Sequence, residues 1–287
     1  MSSEIGSQLA PLGLLAGLGD LPVHVAQAAE ARGQPVYVLR LKGFVESALD
    51  HLPGETVGMG EIGKTVKLFR AAGVEEMCFA GRVDRPDFAT LKPDLKGMSL
   101  LPRVLAAARK GDDALLRVMI EAFESEGFRV IGADEASSSL LAQQGLIAGS
   151  EPHSSEMDDL EKAAHVASGI GALDIGQGAI VCNGLVLCVE AQEGTDAMLE
   201  RCATLDPKLR GTFDQRRGVL VKRPKPIQER RIDLPTIGLG TVERAAAAGL
   251  AGLGVEAGGA LVIDLPSVQA AAQKYGVFVY GFPKGWA

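Results

Sequence analysis

Residues 222–238 read Lys-Arg-Pro-Lys-Pro-Ile-Gln-Glu-Arg-Arg-Ile-Asp-Leu-Pro-Thr-Ile-Gly, a run in which cations alternate with carboxylates. Lys222, Lys225, Arg230 and Arg231 interleave with Gln228, Glu229 and Asp233, and Pro224, Pro226 and Pro235 punctuate them. Each proline lacks an N–H and pushes the residue before it out of the helical region, so the segment is an ordered loop or strand edge. Cations beside carboxylates on such a segment suit a phosphate ester. The cations hold the anion while a carboxylate holds a metal ion or orients water. A solvated charged loop has the same composition, so neighbouring motifs have to decide between the two.

Glu190, Glu193 and Asp196 fall within seven positions where an apolar run gives way to a helical pattern. With Asp233 they are candidate ligands for Mg²⁺, which prefers carboxylate oxygens and water and works together with substrate phosphates. A helix cap accounts for Thr195 or Asp196 alone, not for three carboxylates. Thr195, Asp174 and Gln177, the last two in Asp174-Ile-Gly-Gln-Gly178, are candidate substrate contacts. Gly17 and Gly19, followed by Asp20, would let backbone N–H groups approach a phosphate at a helix N-terminus. The dinucleotide fingerprint is incomplete, because Pro22 stands where its third glycine belongs and Arg40 and Lys42 follow the second strand in place of an acid. Arg82 and Arg85, in Gly81-Arg-Val-Asp-Arg-Pro86, could clamp a phosphate. Glu151, His153 and Glu156 make a weaker cluster, read as surface.

These residues are spaced by alternating elements. Strand 12–18, a glycine turn, helix 23–32, strand 35–41, helix 61–72, strand 74–80, helices 99–108 and 112–126 and strand 128–132 predict a parallel, doubly wound sheet. Its ligand crevice would lie at the carboxyl ends of the first and third strands. We assign residues 1–136 to a Rossmann-like N-terminal domain, 137–156 to a linker, and 157–287 to a mixed α/β catalytic domain, with ligand in the cleft between the two. The second domain is predicted to contain helix 157–171, strands 178–182 and 185–190 joined by an Asn183-Gly184 hairpin, helix 194–204, strand 218–222, helix 240–250 and strands 260–263 and 277–280.

A length of 287 residues exceeds what one core usually supports. A net charge of −7 argues against general nucleic-acid binding, which needs clustered Lys and Arg. Cys78, Cys182, Cys188 and Cys202 show no paired spacing and read as reduced, buried thiols of a cytoplasmic protein. No apolar run reaches the roughly 18 residues of a membrane span, and no basic leader is seen.

In order, Leu14-Leu-Ala-Gly-Leu-Gly-Asp-Leu-Pro22, Gly81-Arg-Val-x-Arg-Pro86, Gly111-Asp-Asp-Ala-Leu-Leu-Arg117, Asp174-Ile-Gly-Gln-Gly178, Val189-Glu-x-x-Glu-Gly-Thr-Asp196 and Lys225-Pro-x-Gln-Glu-x-Arg-x-Asp-Leu-Pro235 resemble the LpxI type of UDP-2,3-diacylglucosamine pyrophosphatase. The resemblance spans roughly residues 12 to 283. It implies an Mg²⁺-dependent enzyme of the cytoplasm, peripheral to the inner membrane, that converts UDP-2,3-diacylglucosamine to UMP and lipid X in lipid A biosynthesis. A homodimer is among the assemblies it admits. Where the family often has Asp, this chain has Glu229, so Asp233 is taken as the essential carboxylate, with Glu229, Lys225 and Arg231 beside it. A non-catalytic nucleotide-sugar or lipid-binding protein is the alternative; it would keep the glycine turn and arginines without needing the carboxylates. The two acyl chains call for an apolar cavity, which segments 98–105 and 140–147 could line or, as ordinary core helices, ignore.

Overall fold

A computed structural model describes residues 9–44, 47–226 and 229–286. The chain divides into two units, residues 1–138 and 139–287. In the first, β1 (Leu12–Ala16), α1 (Leu21–Ala31), β2 (Val36–Leu41), β3 (Gly54–Val57), α2 (Ile62–Ala71) and β4 (Glu76–Ala80) lead to α3 (Leu95–Ala108), α4 (Asp112–Glu124), β5 (Arg129–Ile131) and α5 (Ala133–Ala136). The five strands are all parallel, in the order β3-β2-β1-β4-β5. Every residue of β1 is buried, as a strand covered by helices on both faces must be. Strand order reverses between β1 and β4, so the turns leaving these two strands share the switch point where such sheets bind ligands. Edge strand β3 escapes the sequence reading because Gly-Glu-Thr-Val buries only Val57.

The second unit holds β6 (Gly145–Ala148), α6 (Ser154–Ala172), β7 (Gly178–Cys182), β8 (Leu185–Val189), α7 (Gly194–Ala203), β9 (Val219–Lys222), β10 (Thr236–Ile237), α8 (Leu239–Ala247), β11 (Gly252–Glu256), β12 (Leu261–Val262), α9 (Leu265–Tyr275) and β13 (Phe278–Phe282). Six strands run in the order β6-β13-β11-β9-β7-β8, with β9, β11 and β13 mutually parallel and β6, β7 and β8 in antiparallel pairings. Strands β10 and β12 form a small parallel pair of their own. Alternation along β9 splits the core: Val219 and Val221 pack under α6 with Leu160 and Ala163, while Leu220 faces the cluster built with α7, α8 and α9.

The predicted hairpin is present. Asn183 (φ 49°) and Gly184 (φ 74°) both take left-handed backbone, and the buried Asp159 carboxylate accepts their N–H groups at 2.8 and 2.7 Å. Segment 137–156, expected as a linker, is partly structured: β6 lies within it and pairs with β13 as an edge of the second sheet. Central strand β11 and helix α9 were also missed. In β11 a Cβ at Gly252 would collide with the Phe278 ring, and one at Gly254 would come within 2.5 Å of Leu160 Cδ2, so packing demands glycine where strand propensity disfavours it.

Candidate active site

In the first unit, the turns leaving β1 and β4 are bonded to each other. Gly17 N–H donates to the Ala80 carbonyl at 2.8 Å, Leu18 N–H to Arg82 at 2.9 Å, and Arg82 N–H back to Leu18 at 2.8 Å. The approach is close enough that a Cβ at Gly17 would lie 2.6 Å from the Arg82 carbonyl oxygen, and one at Gly81 (φ +93°) 2.7 Å from that of Leu18. The Gly17 N–H is thus engaged by the Ala80 carbonyl. Gly19 has φ +94°, with nothing within 4 Å of a Cβ placed on it, and Asp20 precedes α1 without a side-chain capping bond.

The two arginines do not converge into a clamp. Arg82 is exposed with its Nε 3.4 Å from Asp84 Oδ1, whereas Arg85 reaches Asp112 Oδ1 at 3.7 Å and donates to the Ala108 carbonyl at the end of α3.

In the second unit, the chemistry gathers where β9 ends and β7 begins. Gly178 sits opposite Lys222, and Arg223 N–H donates to the Gln177 carbonyl at 3.0 Å. Lys225 Nζ lies 2.7 Å from Asp174 Oδ1, so the Pro-rich loop is tied to the loop before β7. Buried Lys222 donates to the Thr236 carbonyl at 3.0 Å, fixing the far end of the segment that carries Asp233. Within that segment Arg231 Nε and Nη2 approach the Glu229 carboxylate at 3.0 and 3.1 Å, and Asp233 N–H donates to the Glu229 carbonyl at 3.2 Å. Gln228 lies outside the described residues.

The Asp-Ile-Gly-Gln-Gly motif has a packing cause. A Cβ at Gly176 would collide with the Glu190 carbonyl, and one at Gly178 would lie 2.6 Å from Glu190 Oε2. Glu190 is 6% exposed; its Oε1 accepts the Thr195 hydroxyl at 2.9 Å, and its Oε2 is buried without a partner. Thr195 is therefore engaged within the protein.

Two domain models of one family account for most of the chain: LpxI N-terminal domain over residues 11–140 and LpxI C-terminal domain over residues 143–280. The UDP-2,3-diacylglucosamine pyrophosphatase LpxI of Caulobacter vibrioides is 54% identical over 270 residues, covering 94% of this chain and 96% of that one. The chain belongs to the LpxI family.

The carboxylates expected to hold Mg²⁺ have partners of their own in this structure. Glu193 Oε1 is 2.8 Å from Arg201 Nη2 in the last turn of α7, the helix Glu193 precedes, and Asp196 Oδ2 is 3.3 Å from Arg244 Nη2 of the neighbouring α8. Its own backbone N–H and then Arg201 hold the Glu193 carboxyl below the usual carboxylate range. Among the described residues no three His, Cys, Asp or Glu side chains are grouped to hold a metal ion. The carboxylates of 190–196 stand where β8 gives way to the start of α7.

One buried pair in this LpxI chain was missed by the sequence reading. Arg223 Nη2 lies 2.8 Å from Glu256 Oε2, their side chains 11% and 4% exposed, with the guanidinium 5.9 Å from the Phe282 ring centroid. Glu256 ends β11, so recognising the pair required recognising that strand. Of the segments expected as acyl-cavity walls, 98–105 has Met98 and Leu105 exposed, and 140–147 contributes Leu146 and Ile147 to a cavity of about 630 Å³ shared with Glu151, His153, Glu156 and Arg216. No helix among the described residues is long and apolar enough to cross a membrane.

Proposed function

We propose that this protein hydrolyses the pyrophosphate of UDP-2,3-diacylglucosamine to UMP and 2,3-diacylglucosamine 1-phosphate, a step of lipid A biosynthesis. The observation that carries the reading is 54% identity, over nearly the full length of both chains, to a relative named for that activity. The loop 222–238 supplies the chemistry. Lys225, held by Asp174, and Arg231, held by Glu229, would meet the pyrophosphate as cations already oriented, which lowers the cost of arranging them in the transition state. Asp233 is the carboxylate assigned to the reacting centre, and water is the nucleophile, attacking the sugar-side phosphorus and expelling UMP.

Mg²⁺ belongs to this proposal as an ion brought in on the pyrophosphate itself. Mg²⁺ commonly binds through substrate phosphates and water with one or two carboxylates, a role Asp233 would fill here. Action on a lipid places the protein at the cytoplasmic face of the inner membrane in this reading.

The test is incubation of purified protein with UDP-2,3-diacylglucosamine and Mg²⁺ in ¹⁸O-water. The expected result is UMP release with the label in the phosphate of lipid X. Label in UMP would reverse the phosphorus assignment, and no UMP would end the hydrolase reading.

A further inference from the structure

Helix α3 is more than the first sheet needs. A β4-to-β5 crossover requires one helix against the strands, and α4 fills that place: Ile120 and Phe123 are buried, and Phe123 stands edge-on to Phe79 of β4 at 5.7 Å. α3 forms an outer layer, packed on α4 and α2, with Gly97, Ala107 and Ala108 its buried positions. Gly97 passes so near the Gly60 carbonyl that a Cβ there would collide with it.

The opposite face is apolar and in solvent. Leu95 is 89% exposed, Met98 59% and Leu105 39%; with exposed Pro102 they follow at intervals of three, four and three residues, one stripe along a helix. A single exposed leucine is ordinary, but an aligned stripe marks an interaction surface. Its charge is opposite to that of the chain. Segment 92–110 carries Lys92, Lys96, Arg103, Arg109 and Lys110 against Asp94 alone, in a protein of net charge −7. Lys96 pairs with Glu126 and Arg103 with Glu121, leaving Lys92, Arg109 and Lys110, at the two ends of the helix, without an ion-pair partner among the described residues.

We infer that α3 docks the protein on an anionic lipid surface, its apolar stripe entering the headgroup–acyl boundary and its terminal cations meeting lipid phosphates. An apolar stripe flanked by Lys and Arg is the pattern of helices that lie in a membrane interface. A second copy is a poorer occupant, since two such segments would repel each other. The inference rests on the proposed lipid substrate, which a docked enzyme would meet in the bilayer.

The test compares full-length wild type with a Leu95→Ser, Met98→Ser, Leu105→Ser triple variant. Co-sedimentation uses vesicles of phosphatidylethanolamine with phosphatidylglycerol and, separately, phosphatidylcholine alone. Wild type should pellet with the anionic vesicles and less so in high salt, and the triple variant should bind roughly tenfold more weakly. Because all three side chains face solvent, circular dichroism should be unchanged, and UMP release from substrate in detergent micelles should stay at the wild-type rate. Four results overturn the assignment: wild type that ignores vesicles, a triple variant that pellets equally well, a wild-type dimer that the variant splits, or micellar turnover that falls with vesicle binding. The last would give the stripe to the substrate's own acyl chains. Wild type that binds vesicles but releases no UMP would instead fault the hydrolase reading and leave the docking helix standing.

Discussion

The Lys225 ammonium and the Asp174 carboxylate lie 2.7 Å apart although 51 positions separate them in sequence. The pair joins the Pro-rich loop to the turn before β7, and both side chains are mostly buried, so each charge depends on the other for solvation. Lys225→Met and Asp174→Ala should each lower kcat/KM by about tenfold to a hundredfold, and the double variant should be little worse than either. A double-mutant cycle should therefore show a coupling of about 1.4–2.7 kcal/mol, the size of one single loss. Simple additivity would mean that Asp174 does not act through Lys225.

Asp233→Asn keeps the shape and removes the charge at the position assigned to the reacting centre. Turnover should fall by about a thousandfold, the scale on which electrostatic partners of a transition state act, while the thermal midpoint stays near that of wild type. Glu229→Gln, which loosens the hold on Arg231, should cost less, about tenfold in kcat. Wild-type rates from Asp233→Asn would move the catalytic assignment to Glu229.

Gly178→Ala would place a methyl group 2.6 Å from Glu190 Oε2, against a carboxylate held by Thr195. The variant should lose about 1–3 kcal/mol in urea unfolding, the usual cost of overpacking. Glu190→Ala removes the obstructing oxygen, so the Gly178→Ala, Glu190→Ala double variant should be more stable than the sum of the two single losses implies. Equal additivity would show that the glycine serves some other contact.

Burial pushes the thiols of Cys78 and Cys202 up to about 12, with Asp134 adding to the effect at Cys78 and Cys188 at Cys202. A raised pKa keeps a thiol protonated and unreactive, so near pH 8 these two cysteines should resist iodoacetamide in the native protein and react once it is unfolded. Mass spectrometry of the alkylated peptides reads this directly. Rapid native labelling of Cys78 would show local opening of β4.

Local chemistry made much of this protein legible from the sequence alone. Alternating apolar runs and helical patterns predicted the parallel first sheet, Asn183-Gly184 the hairpin, and three prolines a non-helical loop, because backbone preferences act between neighbours in the chain. Tertiary structure decided where the charges go. Arg201, eight residues on along the same helix, reaches Glu193, and Arg244 is brought to Asp196 by the packing of α8 beside α7. Gly17 has an N–H suited to an anion until the Ala80 carbonyl arrives on the adjacent strand and accepts it. Strand β11 was hidden because Gly252 and Gly254 answer to Phe278 and Leu160, residues distant along the chain. A charge or a donor is satisfied by whichever group folding brings within about 3 Å, and that choice is made only when the sheets assemble.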